Sequence, residues 1–176
     1  MEVYLIRHTT PKIEKGICYG QTDLDLTNSF KDEAKKIKDS IFPLNENIVV
    51  YSSPLQRCLK LANTLSSSTP ILDERLLEMN FGDWEMKSWD SINQQQLTEW
   101  MDNFVTTSCP NGESYQLLHQ RVINFIDELK RKTNPNVLIV THGGVIRSFL
   151  SHINQTPLEK SFETKVNYGD VFKLSL

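Results

Sequence analysis

Two histidines, two arginines and a glutamate stand where an α/β chain offers side chains to a ligand. Arg7 and His8 end the apolar run Val3-Tyr4-Leu5-Ile6, Arg57 follows Tyr51-Ser52-Ser53-Pro54-Leu55-Gln56, and His142 with Gly143 and Gly144 ends Val137-Leu138-Ile139-Val140-Thr141. Short, fully apolar runs read as strands buried on both faces of a parallel sheet. The carboxyl ends of such strands border the ligand crevice, so all four cationic or titratable side chains can converge there. Two forked guanidiniums suit the oxygens of a phosphate, and Gly143 and Gly144 at a helix start add backbone N–H donors. One imidazole could attack phosphorus and carry the group covalently while the other steadies the equatorial oxygens. The leaving alkoxide then needs a proton. Glu78 is a candidate donor, with Glu74, Asp83 and Glu85 nearby in the sequence as alternatives.

The elements that must position these groups follow from pattern. After the first strand, the irregular stretch 12–27 carries Gly16, Gly20, Gln21 and Thr22. Long loops at strand ends are more often functional than connecting; Gln21 and Thr22 either line the substrate side of the pocket or structure the loop. Thr27 or Asn28 caps a helix whose apolar positions are Phe30, Ala34, Ile37 and Ile41. The strand 48–51 exits through Ser53 at an N-cap, Pro54 at the first helical position and Gln56 where a capping box wants it. That places Arg57 in the first turn of a helix running through Leu59, Leu61, Ala62 and Leu65.

A short strand at 70–72 leads into residues 76–85, rich in carboxylates and aromatics and without helical or strand period. Helical segments are expected at about 89–93 and 95–105, and an amphipathic helix at 114–132 with Leu118, Val122, Phe125, Ile126 and Leu129 on one face. A turn at Asn134-Pro135-Asn136, a helix at 145–152 and an alternating strand at 170–176, suited to a sheet edge, complete the chain. His119 and His152 read as a packing or surface residue and a helix-end residue, respectively.

The 176 residues suit one domain, 1–176, with a sizeable core. A net charge of −3 offers no general basic field to nucleic acid. No apolar stretch is long enough to cross a membrane, and Cys18, Cys58 and Cys109, odd in number and far apart, fit reduced thiols in the cytoplasm. The histidines and cysteines lack metal-ligand spacing, and no cofactor-binding glycine loop is present. A small-molecule phosphate ester is the expected partner.

Four stretches carry a family resemblance: Leu5-Ile6-Arg7-His8-Thr9, Tyr51 to Arg57, Glu78 to Glu85 and Val140-Thr141-His142-Gly143-Gly144. In this order they resemble the signature blocks of the histidine phosphatase superfamily, the phosphoglycerate-mutase-like fold. The resemblance implies a three-layer α/β/α sandwich, mostly parallel with one antiparallel strand, and metal-independent hydrolysis of phosphomonoesters. His8 would become phosphohistidine, Arg7, Arg57 and His142 would complete the phosphate pocket, and Glu78 would donate and accept the proton. Thr9 and Thr10 stand where the commonest family form has Gly and an acid, residues 12–14 lack the usual Asn, and Met86 replaces a Gly. These departures weaken a mutase reading without touching the core chemistry. Together with Gly16-Ile17-Cys18-Tyr19-Gly20-Gln21-Thr22-Asp23 they are similar to α-ribazole phosphatases, which act late in cobalamin nucleotide-loop assembly. A mutase and a phosphate-binding domain without chemistry are the competing readings.

Overall fold

The computed structural model describes residues 1–41, 48–133 and 136–176. A five-stranded sheet runs in the order β3-β2-β4-β1-β5, built from β1 (Glu2–Arg7), β2 (Val49–Ser52), β3 (Ile71–Leu72), β4 (Asn136–Thr141) and β5 (Val171–Ser175). The β1–β4, β4–β2 and β2–β3 pairs are parallel; β5 runs antiparallel to β1 at the edge. β4, buried at every residue, takes the middle of the sheet, and β1, interior beside it, forms the seam between parallel and antiparallel pairing. The turn expected at Asn134-Pro135-Asn136 falls partly outside the described residues.

Alternation along the strands divides the core between two faces. Val3, Leu5, Val137 and Ile139 pack against α4 (Tyr115–Lys130) and α5 (Gly143–Asn154) through Leu118, Val122, Val145 and Phe149. Ile6, Val50, Leu138 and Val140 face α1 (Phe30–Ile41) and α2 (Gln56–Leu65) through Ala34, Ile37, Leu61 and Ala62. The result is the three-layer α/β/α arrangement, mostly parallel with one antiparallel strand. Among the described residues no helix is long and apolar enough to cross a membrane.

The start of α2 corrects the sequence reading. The helix begins at Gln56, and Leu55 occupies the N-cap with no side-chain cap. The Ser53 hydroxyl lies 2.8 Å from His142 Nε2 and accepts from the Leu55 amide at 3.4 Å, ahead of the first helical turn. Asp23, from the loop after β1, accepts from the Gln56 amide at 2.8 Å instead. The cap thus comes from a distant segment and ties that loop to the helix carrying Arg57. Between β3 and α4 the chain has three single 3-10 turns, Glu74–Leu76, Gly82–Trp84 and Trp89–Ser91, followed by α3 (Gln94–Asp102). These replace the helix expected at 89–93 and shorten the one expected at 95–105.

Met86, where the family form has Gly, has φ 63°. A left-handed conformation costs a side-chain-bearing residue about 1–2 kcal/mol, and at 50% exposure Met86 gains little packing in return. Glycine removes that strain but loses about 0.5–1 kcal/mol of chain entropy on folding. Met86→Gly is therefore expected to stabilise the fold by up to about 1 kcal/mol. Urea denaturation showing a lower midpoint would contradict this.

Candidate active site

β1, β2 and β4 deliver their carboxyl ends to one side of the sheet, and the five residues singled out from sequence gather there or line the adjoining cavity. His8 is 1% exposed and its Nδ1 lies 2.7 Å from the Thr9 carbonyl. A carbonyl only accepts, so Nδ1 carries the proton and Nε2 keeps the free lone pair. The His142 ring stands edge-on to that of His8, centroids 5.1 Å apart. His142 is fully buried between Ser53 Oγ and Cys58 Sγ.

Arg57 is also fully buried, donating to the Thr22 carbonyl at 2.8 Å and to the Gly20 carbonyl. Gly20 is required at this close approach: a Cβ there would stand 1.8 Å from the Met79 carbonyl oxygen. Arg7 donates to the Val166 carbonyl at 2.7 Å, and its guanidinium carbon lies 4.0 Å from the Tyr168 ring centroid. Among the described residues, Nε of Arg7 and Nε of Arg57 are buried donors without a hydrogen-bond partner. Unpaired buried donors cost about 1–3 kcal/mol each, more when charged, a cost that a bound oxyanion would offset.

Glu78 sits across α5's first turn. Its carboxylate accepts from the Gly144 amide at 3.1 Å and the Met79 amide at 3.0 Å. A Cβ on Gly144 would lie 2.4 Å from Glu78 Oε1, so a side chain there would displace the carboxylate. Of the four acids considered from sequence, only Glu78 lines the cavity beside His8. Glu85 is engaged elsewhere, accepting from the amides of Gln21 and Thr22 and from the Thr22 hydroxyl. Burial alone would raise the Glu85 pKa, but these donors hold it below the ordinary range. Asp83 accepts from Asn111 on the surface.

Gln21 and Thr22 do not line that cavity. Their amides bind Glu85, the Gln21 side chain donates to the Glu78 carbonyl at 3.0 Å, and the Thr22 carbonyl receives Arg57. These bonds join the loop to Glu78, Glu85 and Arg57.

The cavity encloses about 210 Å³ and has two characters. Its polar lining is Arg7, His8, Glu78, Gly144 and Arg147, and its aromatic lining is Tyr19, Phe81, Trp89, Tyr115 and Phe162. Sequence reasoning missed Arg147 and also Arg121, which is far from the strand ends. Arg121 donates to the carbonyls of Arg75, Leu77 and Glu78 at 2.7, 2.6 and 3.0 Å and pairs with Glu113, fixing the irregular backbone that presents Glu78. Tyr168 and Tyr19 join their hydroxyls at 2.6 Å beside His8. His119 bonds Ser148 Oγ, away from this site.

Burial first, then the Arg57 guanidinium, pushes the pKa of both His8 and His142 well below the ordinary histidine range. Both are therefore neutral near pH 7. An unfolded chain protonates these rings near pH 6.5, while the folded chain does so only at much lower pH. Their contribution to stability is complete above that value and is lost as pH falls toward the folded pKa, by up to about 1.4 kcal/mol per pH unit for each ring. Urea unfolding at about pH 7.5 and 5.5 should show this loss, with the slope reduced in His8→Asn. Equal stability at both pH values would mean that the rings are not desolvated.

Two neutral imidazoles, the buried guanidinium of Arg57 and the half-buried one of Arg7 thus stand at the carboxyl ends of parallel strands, with the Glu78 carboxylate beside them. The chain belongs to the histidine phosphatase superfamily (branch 1), which it matches over residues 3–176. It is 30% identical over 181 residues to "Putative phosphoserine phosphatase 2" of Hydrogenobacter thermophilus, covering 99% of this chain and 89% of that protein. The adenosylcobalamin/alpha-ribazole phosphatase of Escherichia coli is 28% identical over 178 residues, covering 96% of this chain and 87% of that one. The solved structure of the alpha-ribazole phosphatase from Shigella flexneri superposes with a TM-score of 0.89 at 26% identity, covering 100% and 91% of the two chains.

Proposed function

We propose that this chain is a metal-independent phosphomonoesterase in which His8 carries the phosphoryl group. The observation behind this reading is the His8 ring: held neutral by burial and cations, with Nδ1–H directed at the Thr9 carbonyl, it has only the Nε2 lone pair to offer phosphorus. In the first displacement an Nε2–P bond forms, the ester P–O bond breaks, and the leaving alkoxide takes a proton from Glu78. In the second, water attacks phosphorus and gives a proton to the Glu78 carboxylate as the N–P bond breaks. This releases phosphate and restores neutral His8. Arg7, Arg57 and His142 stabilise the equatorial oxygens throughout, with Gly143 allowing close backbone approach.

α-Ribazole 5′-phosphate is supported as substrate by the subgroup resemblance, by relatives bearing that name and by aromatic walls suited to a flat base. Arg147 favours a second reading, an ester whose alcohol portion is acidic. The test is phosphate release in excess EDTA from α-ribazole 5′-phosphate beside sugar phosphates, phosphoglycerates, phosphoserine and nucleotides. Release with a clear preference supports the phosphatase and identifies its ester. Phosphoglycerate interconversion faster than release would indicate a mutase, and tight phosphate binding with neither turnover nor phosphoenzyme would indicate a binding domain.

A further inference from the structure

Arg7 is gripped by the segment 166–170, which no step of the two displacements uses. The Val166 carbonyl accepts from Arg7 Nη1 at 2.7 Å, the Tyr168 ring centroid lies 4.0 Å from the guanidinium carbon, and the Asp170 carbonyl accepts from the Arg7 amide at 3.0 Å. The segment is itself fixed. The Asp170 amide donates to the Asn167 carbonyl at 3.2 Å across a tight turn, with Gly169 at φ 76° in its third position. The Asp170 carboxylate accepts from the Asn167 amide at 2.6 Å and from its side chain at 3.0 Å. The Gly169 amide donates to the His8 carbonyl at 3.2 Å, which fastens the turn to the strand end carrying Arg7 and His8.

Tyr168 is 38% exposed, so core packing does not account for a large ring at this place. Its hydroxyl meets that of Tyr19 at 2.6 Å, and the Tyr19 ring centroid lies 5.6 Å from the Arg57 guanidinium carbon. Each arginine of the phosphate pocket thus has a tyrosine ring against it, and the two rings are joined. Charge alone would not hold Arg7 there. Burial and then Arg7 lower the pKa of Arg147, the mark of like charges that push apart. A ring face attracts a cation and settles the plane in which a guanidinium presents its donors. The buried, unpartnered Nε of Arg7 then stays ready for an acceptor. We infer that Tyr168 is a positioning residue whose ring holds the Arg7 guanidinium in the orientation that receives a phosphoryl oxygen. The inference rests on the phosphomonoesterase reading for the identity of the bound group. Apparent affinity falls with the fraction of molecules in the competent state, so freeing Arg7 weakens oxyanion binding although every group that touches the oxyanion remains.

Orthovanadate, an oxyanion that can take the five-coordinate geometry of phosphoryl transfer, reports on the pocket by isothermal titration calorimetry without any need for turnover. Hydrolysis of p-nitrophenyl phosphate reports turnover. Tyr168→Leu is expected to weaken vanadate binding by about 10-fold and to lower kcat/KM by a similar factor, the scale of one partly desolvated cation–π contact. Tyr168→Phe keeps the ring and loses only the bond to Tyr19, so it should stay within about three-fold of wild type on both measures. Circular dichroism and the thermal midpoint show whether each variant is folded, and Tyr168→Gln replaces Tyr168→Leu if that variant is not. Three results would overturn the inference. They are unchanged vanadate affinity in Tyr168→Leu, an equal loss in Tyr168→Phe, which would assign the effect to the joined hydroxyls, and a lower kcat with vanadate affinity intact, which would place the ring's action on His8, 5.5 Å away ring to ring. The two readings fail separately. A wild type without turnover, whose vanadate affinity falls in Tyr168→Leu and not in Tyr168→Phe, refutes the phosphatase and leaves the role of Tyr168 standing. A wild type that binds no vanadate refutes both.

Discussion

His8→Ala is expected to lower kcat by about 10⁴-fold or more while leaving the protein folded, the scale on which loss of a nucleophile acts in covalent catalysis. The fold should survive because the imidazole supports little else: among the described residues its one side-chain hydrogen bond is to the adjacent Thr9 carbonyl. The backbone bonds of residue 8, from its amide to Thr141 and from Gly169 to its carbonyl, do not depend on the side chain. Quenched-flow labelling with a ³²P-ester should trap an acid-labile, alkali-stable phosphoenzyme in the wild type and none in the variant. A folded His8→Ala protein that still labels and turns over would transfer the nucleophile's role elsewhere, with His142, 5.1 Å away ring to ring, the first alternative. The pH profile adds a constraint. Attack needs neutral His8 and leaving-group protonation needs protonated Glu78, so the expected profile is bell-shaped. Because burial and Arg57 lower the His8 pKa, its acid limb in kcat/KM lies well below the ordinary histidine range.

The strand ends were legible because their signal is local. Four-residue apolar runs followed by Arg7-His8, a Pro-initiated exit and His142-Gly143-Gly144 each announce a strand, its end and a polar group. What joins those ends to the rest is long-range. Asp23 caps α2 across 33 residues, and Arg121 supports the Glu78 segment across 43; neither pairing leaves a periodic trace. Ser53 illustrates the limit of local rules: they make it the N-cap, but the helix begins two residues later than they place it, where Asp23 accepts from the Gln56 amide. Arg147 was within reach. Like Arg57 it lies early in a helix leaving a strand carboxyl end, five residues after His142. Tyr168, whose ring lies against Arg7 from 161 positions away in the chain, was not within reach.

Glu78→Gln should separate the two displacements. With an alkyl phosphate the leaving alkoxide needs a proton, and loss of the general acid is expected to lower kcat by about 10²–10⁴-fold. With p-nitrophenyl phosphate the leaving group departs as a stable anion, so phosphorylation of His8 should be little affected. Hydrolysis of the phosphoenzyme still requires a base for water. The variant should therefore release one nitrophenolate per protein in a burst and then turn over slowly, accumulating phosphohistidine. Glutamine preserves the shape, and its one carbonyl oxygen can replace one of the two carboxylate oxygens that accept from the Gly144 and Met79 amides; neither misfolding nor a lost cavity wall would account for a burst. An equal loss on both esters without a burst would make Glu78 a positioning group for α5's first turn, and the proton would have to come from another residue or from water. Because Glu85 is held by Gln21 and Thr22 and Asp83 faces Asn111, no other acid in that segment stands ready to replace it.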